Sequence, residues 1–442
     1  MTVCWVSLGC DKNLVDSEKM LGFLRNRGFE FTSDEEKADV IAVNTCCFIQ
    51  DAKEESILAL LEAAKYKKTG NCKVLIAAGC MAVRYRDEIA KEIPEVDGII
   101  GTDELFKVAD IIEDTYAKAF GVNQIIDGNN SKALKKPERI LTTPGYYAYI
   151  KIAEGCDKHC TYCIIPKIRG EYRSVPMEDI ISEAKELVGY GVKELILVAQ
   201  ETTLYGVDLF GEKKLPELLR KLCEIKGLRW IRLLYCYPEE VTDELINVIK
   251  TEPKICKYID LPIQHANDEI LRKMGRKATK KTIVDLIEKL RSEIPEIVIR
   301  TSLITGFPQE SEEAHEELLQ FIKNMKFDRL GVFMYSAEEG TAAAKMKGQI
   351  PKRIKKRRYA KLMESQQEVS FKKSSSMVEK ELDVLIEGEL PERNVYVGRT
   401  YADAPDVDGL IFIESNETLN SGDFAKAKVI KSEGYDLIGE LL

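Results

Sequence analysis

The segment Cys156-Asp157-Lys158-His159-Cys160-Thr161-Tyr162-Cys163 sets three thiols at a CxxxCxxC spacing on a single short stretch. Three thiolates this close can ligate three irons of a cubane 4Fe-4S cluster, and the missing fourth protein ligand leaves one iron open to a small molecule. An open iron implies chemistry rather than electron storage alone. The bland alternative is zinc, but a structural zinc site usually takes four protein ligands in paired spacings.

A second set is dispersed. Cys10, Cys46 and Cys80 each follow directly on a short apolar run, after Leu8-Gly9, Asn44-Thr45 and Ala78-Gly79. If those runs are parallel strands of an open α/β sheet, their carboxyl ends form the ligand crevice and the three thiols converge there. Gly9 and Gly79 would permit close backbone approach or unusual φ. Against this, free Cys is often simply a small buried residue. Cys4, mid-strand, and Cys223, Cys236 and Cys256 follow no pattern and read as packing, whereas Cys47 and Cys72 are ambiguous, Cys47 standing next to Cys46. Among the histidines, His159 between the loop thiols reads as solvent-facing. His265, in Leu261-Pro262-Ile263-Gln264-His265, points toward a barrel mouth, and His315, in an acidic helical run, reads as a surface residue.

These thiols need elements to position them. Runs at 3–8, 39–44 and 73–79 are rich in β-branched residues, as buried parallel strands are, with helical patterns between them near 13–27, 51–68 and 82–92. Residues 1–122 therefore read as a doubly wound α/β domain. Asn, Gly, Ser, Pro and Lys collect at 123–144, a linker composition. Strands then recur at 148–153, 194–199, 230–236, 257–262, 297–304 and 329–335. Six βα units within 145–350 fit a partial (β/α) barrel, because a full eight-unit barrel needs ~250 residues. Residues 351–378 read as a basic helical connector, and 379–442 turn to Val/Ile/Tyr strands broken by Gly, Pro and Asp, a small β-barrel. The expected class is α/β throughout the first two parts, with a β-barrel tail.

Composition bounds the rest. A chain of 442 residues, 45% hydrophobic and 31% charged, holds two to four domains at roughly 100–200 residues each. No stretch approaches the ~20 apolar residues of a membrane helix, and the N-terminal residues lack the pattern of a signal peptide. A cytoplasmic location is expected. Twelve Cys are too few for a disulfide scaffold of this length and favour metal or redox chemistry. The net charge of −9 argues against a generic nucleic-acid binder.

The cysteine loop resembles that of the radical S-adenosylmethionine superfamily, in which the open iron holds the amino and carboxylate groups of the methionine portion. That resemblance implies that Tyr162 and Ile164 lie near the adenine and that Gln200-Glu201-Thr202 meets the methionyl amino group. It also implies that the stretch Arg300-Thr301-Ser302-Leu303-Ile304-Thr305-Gly306-Phe307-Pro308 contacts the nucleoside, through Arg300 and Ile304. Barrel packing is the plainer reading of Leu303 and Ile304. The order of parts, with Ser7-Leu8-Gly9-Cys10-Asp11-Lys12-Asn13-Leu14-Val15-Asp16-Ser17-Glu18 and Cys163-Ile164-Ile165-Pro166-Lys167-Ile168-Arg169-Gly170, resembles the methylthiotransferase family over essentially the whole chain. The family resemblance implies an N-terminal three-Cys domain, a radical barrel and a TRAM-type β-barrel. It implies two 4Fe-4S clusters, on Cys10/Cys46/Cys80 and on Cys156/Cys160/Cys163, and S-adenosylmethionine as cofactor. One cluster would generate a 5′-deoxyadenosyl radical and the other would deliver methylthio to the substrate carbon.

Within that family, Val198-Ala199-Gln200-Glu201-Thr202-Thr203-Leu204-Tyr205-Gly206 and Val397-Gly398-Arg399-Thr400-Tyr401-Ala402-Asp403-Ala404-Pro405-Asp406-Val407-Asp408-Gly409 resemble the branch that modifies the β-carbon of an aspartate in ribosomal small-subunit protein S-twelve. Glu201 departs from that branch, where Asp is expected. The 379–442 tail carries 15 acidic and 6 basic residues, which suits a basic ribosomal protein as partner better than RNA. The run Lys352-Arg353-Ile354-Lys355-Lys356-Arg357-Arg358 reads as a solvated helix face pairing with acids, with a ribosomal RNA contact as the alternative. An electron donor is implied and a monomer expected. The rival readings are a transfer-RNA adenosine methylthiotransferase and a non-catalytic iron–sulfur protein that binds ribosomes or RNA.

Overall fold

The structure, a computed structural model, describes residues 1–119, 138–390 and 394–442; most of the linker reading, 123–137, lies outside the described residues. The described chain falls into two compact units. The first comprises Met1–Thr142 together with Gly155–Asp157 and Cys163–Glu171, and the second holds the rest.

The first unit is built on a five-stranded parallel sheet of β1 (Thr2–Ser7), β2 (Glu30–Phe31), β3 (Val40–Thr45), β4 (Val74–Gly79) and β5 (Gly98–Ile100), in the order β2-β1-β3-β4-β5. All residues of β3 and β4 are buried, the condition of parallel strands covered on both faces. The period of two divides them between two cores. Ile41, Val43, Leu75 and Ala77 face one side with Leu60, whereas Val40, Ala42, Val74 and Ile76 face the other with Met20, Leu24 and Ile112. Helices α1 (Asp11–Asn26), α2 (Gln50–Thr69), α3 (Cys80–Arg84), α4 (Arg86–Glu92) and α5 (Val108–Ala119) cover the sheet, and α6 (Ile165–Arg169) adds Ile168 to the first core. The end of the expected linker is fastened: Glu18, wholly buried, accepts hydrogen bonds from the Arg139 guanidinium and from Thr142 N at 2.7 Å.

In the second unit, β6 (Tyr147–Lys151) leads a six-stranded parallel sheet, and β7 (Ala153–Glu154) pairs with β8 (Arg173–Ser174) beside it. The other strands are β9 (Glu194–Val198), β10 (Trp230–Leu233), β11 (Ile255–Asp260), β12 (Val298–Thr305) and β13 (Arg329–Met334), in the order β13-β12-β11-β10-β9-β6, an open barrel of six units. A long helix, Lys352–Ser375, leads to a closed barrel of β14 (Glu381–Leu390), β15 (Val395–Thr400), β16 (Ile411–Glu414), β17 (Phe424–Glu433) and β18 (Asp436–Leu441).

The loop between β15 and β16 fills the N-terminal end of the six-stranded sheet. Glu194, at the start of β9, is wholly buried and accepts from Arg232 Nε at 2.7 Å and Arg399 Nη2 at 2.8 Å. Arg232 Nη1 donates to the Tyr401 carbonyl at 2.7 Å, Tyr258 Oη donates to Asp408 Oδ2 at 2.7 Å, and Arg329 pairs with Asp403. The charge reading of the tail is thereby corrected in part: Glu387, Asp403 and Asp408 pair with internal arginines and do not contribute to an outward acidic field. The basic run divides too. Arg358 is buried against the Glu310 carbonyl at 2.9 Å, Arg357 pairs with Glu312 at 3.0 Å and Lys355 donates to the Tyr335 carbonyl at 2.7 Å, leaving Lys352, Arg353 and Lys356 exposed.

His315 is not at the surface but fully buried, 3.7 Å from Glu310. Ser311 caps its helix by accepting from Ala314 N at 3.1 Å, and this start places Ala314, His315, Leu318, Phe321 and Ile322 on the inward stripe. The acidic neighbours Glu313 and Glu316 occupy the opposite face.

Candidate functional site

The crevice of the first unit forms where β1, β3 and β4 end. Cys10 is the N-cap of α1, Cys46 is the residue after β3, and Cys80 opens α3. Gly9 (φ +92°) and Gly79 (φ +88°) occupy left-handed backbone that disfavours a side chain, and space agrees. A Cβ on Gly9 would stand 2.8 Å from Cys46 Cβ, and one on Gly79 would stand 2.1 Å from Asn44 Oδ1. Besides burial, Cys10 disfavours ionisation of Cys46, and Cys10 and Cys46 both act on Cys80 in the same sense. Burial, opposed by Arg169, pushes the Cys80 thiol up to about 12, so it stays protonated at neutral pH until a metal displaces the proton. Cys10 is exposed, while Cys47 is packed into the core.

Three thiols are the donor chemistry that an iron–sulfur cluster takes. Among the described residues no three His, Cys, Asp or Glu side chains gather as they would around one metal ion. A cubane is itself several ångströms wide and separates its ligands. Arg169 donates to Cys80 Sγ at 3.4 Å, the kind of contact that stabilises a cluster thiolate.

Of the loop thiols, Cys156 and Cys163 belong to the first unit, as do Cys10, Cys46 and Cys80. Cys156 N donates to the Gly170 carbonyl at 3.2 Å, and Ile165 N donates to Cys163 Sγ at 3.5 Å. Ile164 packs in the same core as Leu60 and Leu75. In the second unit, Cys160 is buried with its Sγ 3.8 Å from Tyr237 Oη, and His159 is exposed.

Around Tyr237 the second unit collects a buried carboxyl, Glu201, and a buried guanidinium, Arg276, whose Nη2 lies 3.7 Å from Glu239. Tyr237 N donates to Thr203 Oγ1 at 3.2 Å, and Thr203 N donates to Glu201 Oε1 at 2.9 Å. Glu201 Oε2 is buried without a hydrogen-bond partner, and burial, against the pull of Thr203 and Lys158, pushes this carboxyl up to about 7. On the ring of Tyr237 lies Arg276, its carbon centre 4.1 Å from the centroid. One Arg276 nitrogen donates to the Pro262 carbonyl at 3.0 Å, but Nε and Nη1 are buried without partners. A buried carboxylate oxygen and a buried guanidinium edge, both unmatched, fit an amino-acid zwitterion. Sequence reading missed Tyr237 and Arg276, since neither belongs to the cysteine loop or the strand-end triplet.

The remaining expected residues are distributed. Gln200 Nε2 donates to Glu154 at 2.9 Å while its Oε1 is buried without a partner, and Thr202 Oγ1 donates to the Leu234 carbonyl at 2.8 Å, tying β9 to β10. Tyr162 and Ile304 pack against one apolar cluster with Met274 and Phe307. Arg300 shares a face of β12 with Ile304, but four residues nearer the N-terminus, roughly 13 Å away. Its Nη1 is 3.0 Å from Asp260 and its Nε 3.8 Å from Asp408, so it serves the plugged end. His265 is buried, accepts from Asn267 N at 3.0 Å through Nδ1, and lies 3.8 Å from Glu310.

Comparison with known proteins agrees with this division. Residues 150–322 match the radical SAM superfamily, residues 2–101 the uncharacterized protein family UPF0004, and residues 378–442 the TRAM domain. The chain is 57% identical to the ribosomal protein uS12 methylthiotransferase RimO of Lachnoclostridium phytofermentans, over 99% of each chain. It is 52% identical to the protein of that name from Acetivibrio thermocellus, over 99% of this chain and 97% of the relative. Among solved structures, the radical S-adenosylmethionine methyltransferase TsrM from Kitasatospora setae, solved with cobalamin and a [4Fe-4S] cluster, superimposes with a TM-score of 0.53 at 14% identity. That match covers 75% of this chain and 74% of the other, and shows a shared fold.

Proposed function

Because the chain belongs to the RimO family of ribosomal protein uS12 methylthiotransferases, radical S-adenosylmethionine enzymes that carry a 4Fe-4S cluster, we propose that it replaces a C–H bond by C–S–CH3 at the β-carbon of an aspartate in uS12. The observation that carries the sulfur-delivery part is the crevice of Cys10, Cys46 and Cys80, which belongs to the same compact unit as Cys156 and Cys163. A β-carbon hydrogen is too weakly acidic for a side-chain base, so hydrogen-atom abstraction is the suitable route. When bound, a reduced cluster on Cys156, Cys160 and Cys163 with S-adenosylmethionine supplies a 5′-deoxyadenosyl radical, and a second cluster on Cys10, Cys46 and Cys80 supplies methylthio sulfur.

The protein's residues hold the reactants and exclude water. Glu201 Oε2 and Gln200 Oε1 accept the methionyl ammonium, and the free edge of Arg276 receives the carboxylate, so each unmatched buried atom gains a partner. Thr202 fixes that strand end, and Tyr162 with Ile304 gives the adenine an apolar wall. Arg300 is left out of this set by its carboxylate partners, while the Ile164 side chain packs in the core of the first unit beside Cys163. An external donor must provide the electron. Lys352, Arg353 and Lys356 remain available for ribosomal RNA, and the working form is taken as a monomer.

The test is anaerobic incubation of the reconstituted chain with reductant, S-adenosylmethionine and either purified uS12 or transfer RNA, followed by mass analysis. A gain matching CH3S for H on one aspartate of uS12 is expected; a gain on RNA alone would overturn the substrate. Iron falling from about 8 to about 4 per chain on replacing Cys10, Cys46 and Cys80 together with Ala is the result expected for two cubanes. An unchanged iron content would remove the second cluster from the reading.

A further inference from the structure

Resting on the reading that Cys10, Cys46 and Cys80 hold a cluster, we propose that Arg169 is a positioning residue for sulfur delivery, setting the charge and orientation of that cluster from the segment that follows the radical-generating loop. Four observations converge on this side chain, all within the first unit.

First, its guanidinium is buried, with its side chain 1% exposed, and its placement is fixed on two sides: Nη1 lies 3.0 Å from Asp16 Oδ2, and Nη2 donates to Asn13 Oδ1. Second, Nη2 also donates to Cys80 Sγ at 3.4 Å. Third, the residues that hold Arg169 are held in turn. Asn13 Nδ2 donates to the carbonyls of Leu8 and Thr45, both at 3.1 Å, on the chain just before Cys10 and Cys46. Asn44 Nδ2 donates to the Asn13 carbonyl at 2.9 Å. Arg169 is therefore part of one hydrogen-bonded frame with all three strand ends. Fourth, the next residue reaches the other ligand set: the Gly170 carbonyl accepts from Cys156 N at 3.2 Å, and Gly155 lies so close to the Glu171 carbonyl that a Cβ there would stand 2.0 Å from the oxygen. Two adjacent residues thus hold a ligand from each set.

The physical consequences follow from what a guanidinium is. It stays charged at any working pH, donates without accepting, and its planar fork can satisfy Asp16, Asn13 and a thiolate together, which an ammonium cannot do with the same geometry. A fixed cation hydrogen-bonded to a cluster thiolate favours the reduced, more negative state and so raises the reduction potential. Its anchorage to Asp16 and Asn13 would hold a Cys80 thiolate ligand in one position. Loss of Arg169 lowers the potential and leaves radical formation running ahead of sulfur insertion.

The experiment uses the full chain with Cys156, Cys160 and Cys163 replaced by Ala, so that only the strand-end cluster remains, and adds R169M, R169K or D16N. After anaerobic reconstitution, iron content and the midpoint potential are measured, the latter by redox titration followed by electron paramagnetic resonance. About 4 irons per chain is expected in the parent, with a lower potential in R169M and an intermediate one in R169K, which keeps the charge but not the fork. With all six ligands restored, the ratio of 5′-deoxyadenosine to methylthiolated product rises several-fold in R169M and less in R169K. Should R169M fold poorly, D16N leaves the cation in place but removes the buried carboxylate that anchors it, so a higher potential together with a changed product ratio is expected. A parent without iron would overturn the second cluster itself. Iron present with a potential and a product ratio unmoved by R169M, R169K or D16N would overturn the role of Arg169 and leave the cluster standing.

Discussion

Replacing Glu194 by Gln tests whether the buried charges that join the C-terminal barrel to the six-stranded sheet hold the two together. Glu194 is wholly buried between Arg232 and Arg399, and Arg399 comes from the C-terminal barrel. Glutamine keeps the volume and one acceptor but removes the charge, leaving two buried guanidiniums with a single carboxylate, the partly exposed Glu387, beside Arg399. Breaking one partner out of a buried ion pair typically costs about 3–5 kcal/mol, because the remaining charge cannot recover its hydration. At roughly 2–4 °C per kcal/mol for large domains, the melting temperature of the second unit should fall by on the order of 10 °C. Calorimetry of the apo chain at neutral pH would read it. The triple variant Glu194→Leu, Arg232→Met, Arg399→Met removes all three charges together and should recover most of that loss, since a buried ion cluster is often replaceable by apolar groups of similar volume. A single variant that melts within about 2 °C of the parent would refute the reasoning, given those same magnitudes. So would a triple variant no better than the single one, because the cost would then lie in packing rather than in an orphaned charge.

Two further outcomes concern the methionyl pocket. Arg276→Met removes a charge-assisted contact worth about 1.5–3 kcal/mol, so S-adenosylmethionine should bind roughly 10–150-fold more weakly in equilibrium dialysis of the reconstituted chain. Binding of the decarboxylated analogue should be nearly insensitive to it, and equal losses for both ligands would exclude a carboxylate contact. Glu201 gives a pH dependence of definite sign. Its carboxyl sits near 7 when the pocket lacks ligand, chiefly through burial, and the methionyl ammonium favours the ionised form, so binding releases a proton below that pH. Affinity should rise by about tenfold per pH unit up to 7 and level off above it. Glu201→Gln should flatten the profile between pH 6 and pH 8, and a profile unchanged by that variant would show that another group titrates.

Much of the α/β class was legible because parallel strands covered on both faces write themselves as uninterrupted apolar runs, as Val40–Thr45 and Val74–Gly79 do. The two-residue β2 and three-residue β5 were not, being too short for any period to register. The strand-end positions of Cys10, Cys46 and Cys80 could be read because each thiol is fixed by its own strand, so local sequence suffices. His315 marks the limit of local composition: an acidic run says that one face of a helix is wet, not which residues lie on the other. Counting the acids of the C-terminal tail had the same weakness, since Asp403 and Asp408 face arginines of β12 and β13.

What the sequence hides most consistently is countercharge. A cubane held by three thiolates is anionic, and burying it requires cations that a CxxxCxxC spacing does not announce. Each ligand set nevertheless has one buried arginine supplied from another part of the chain. Arg169 donates to Cys80 from 89 residues away. Arg276 lies on the ring of Tyr237, whose hydroxyl is 3.8 Å from Cys160 Sγ. The two differ in what they have left to give. Arg169 is held by Asp16, Asn13 and Cys80, so its role is to tune and orient what those thiols hold. Arg276 keeps Nε and Nη1 without partners, so it can still receive an anion from outside the chain. That asymmetry matches the division of labour proposed for the two sites, one retaining a donor of sulfur and the other admitting and releasing a cofactor at every turnover.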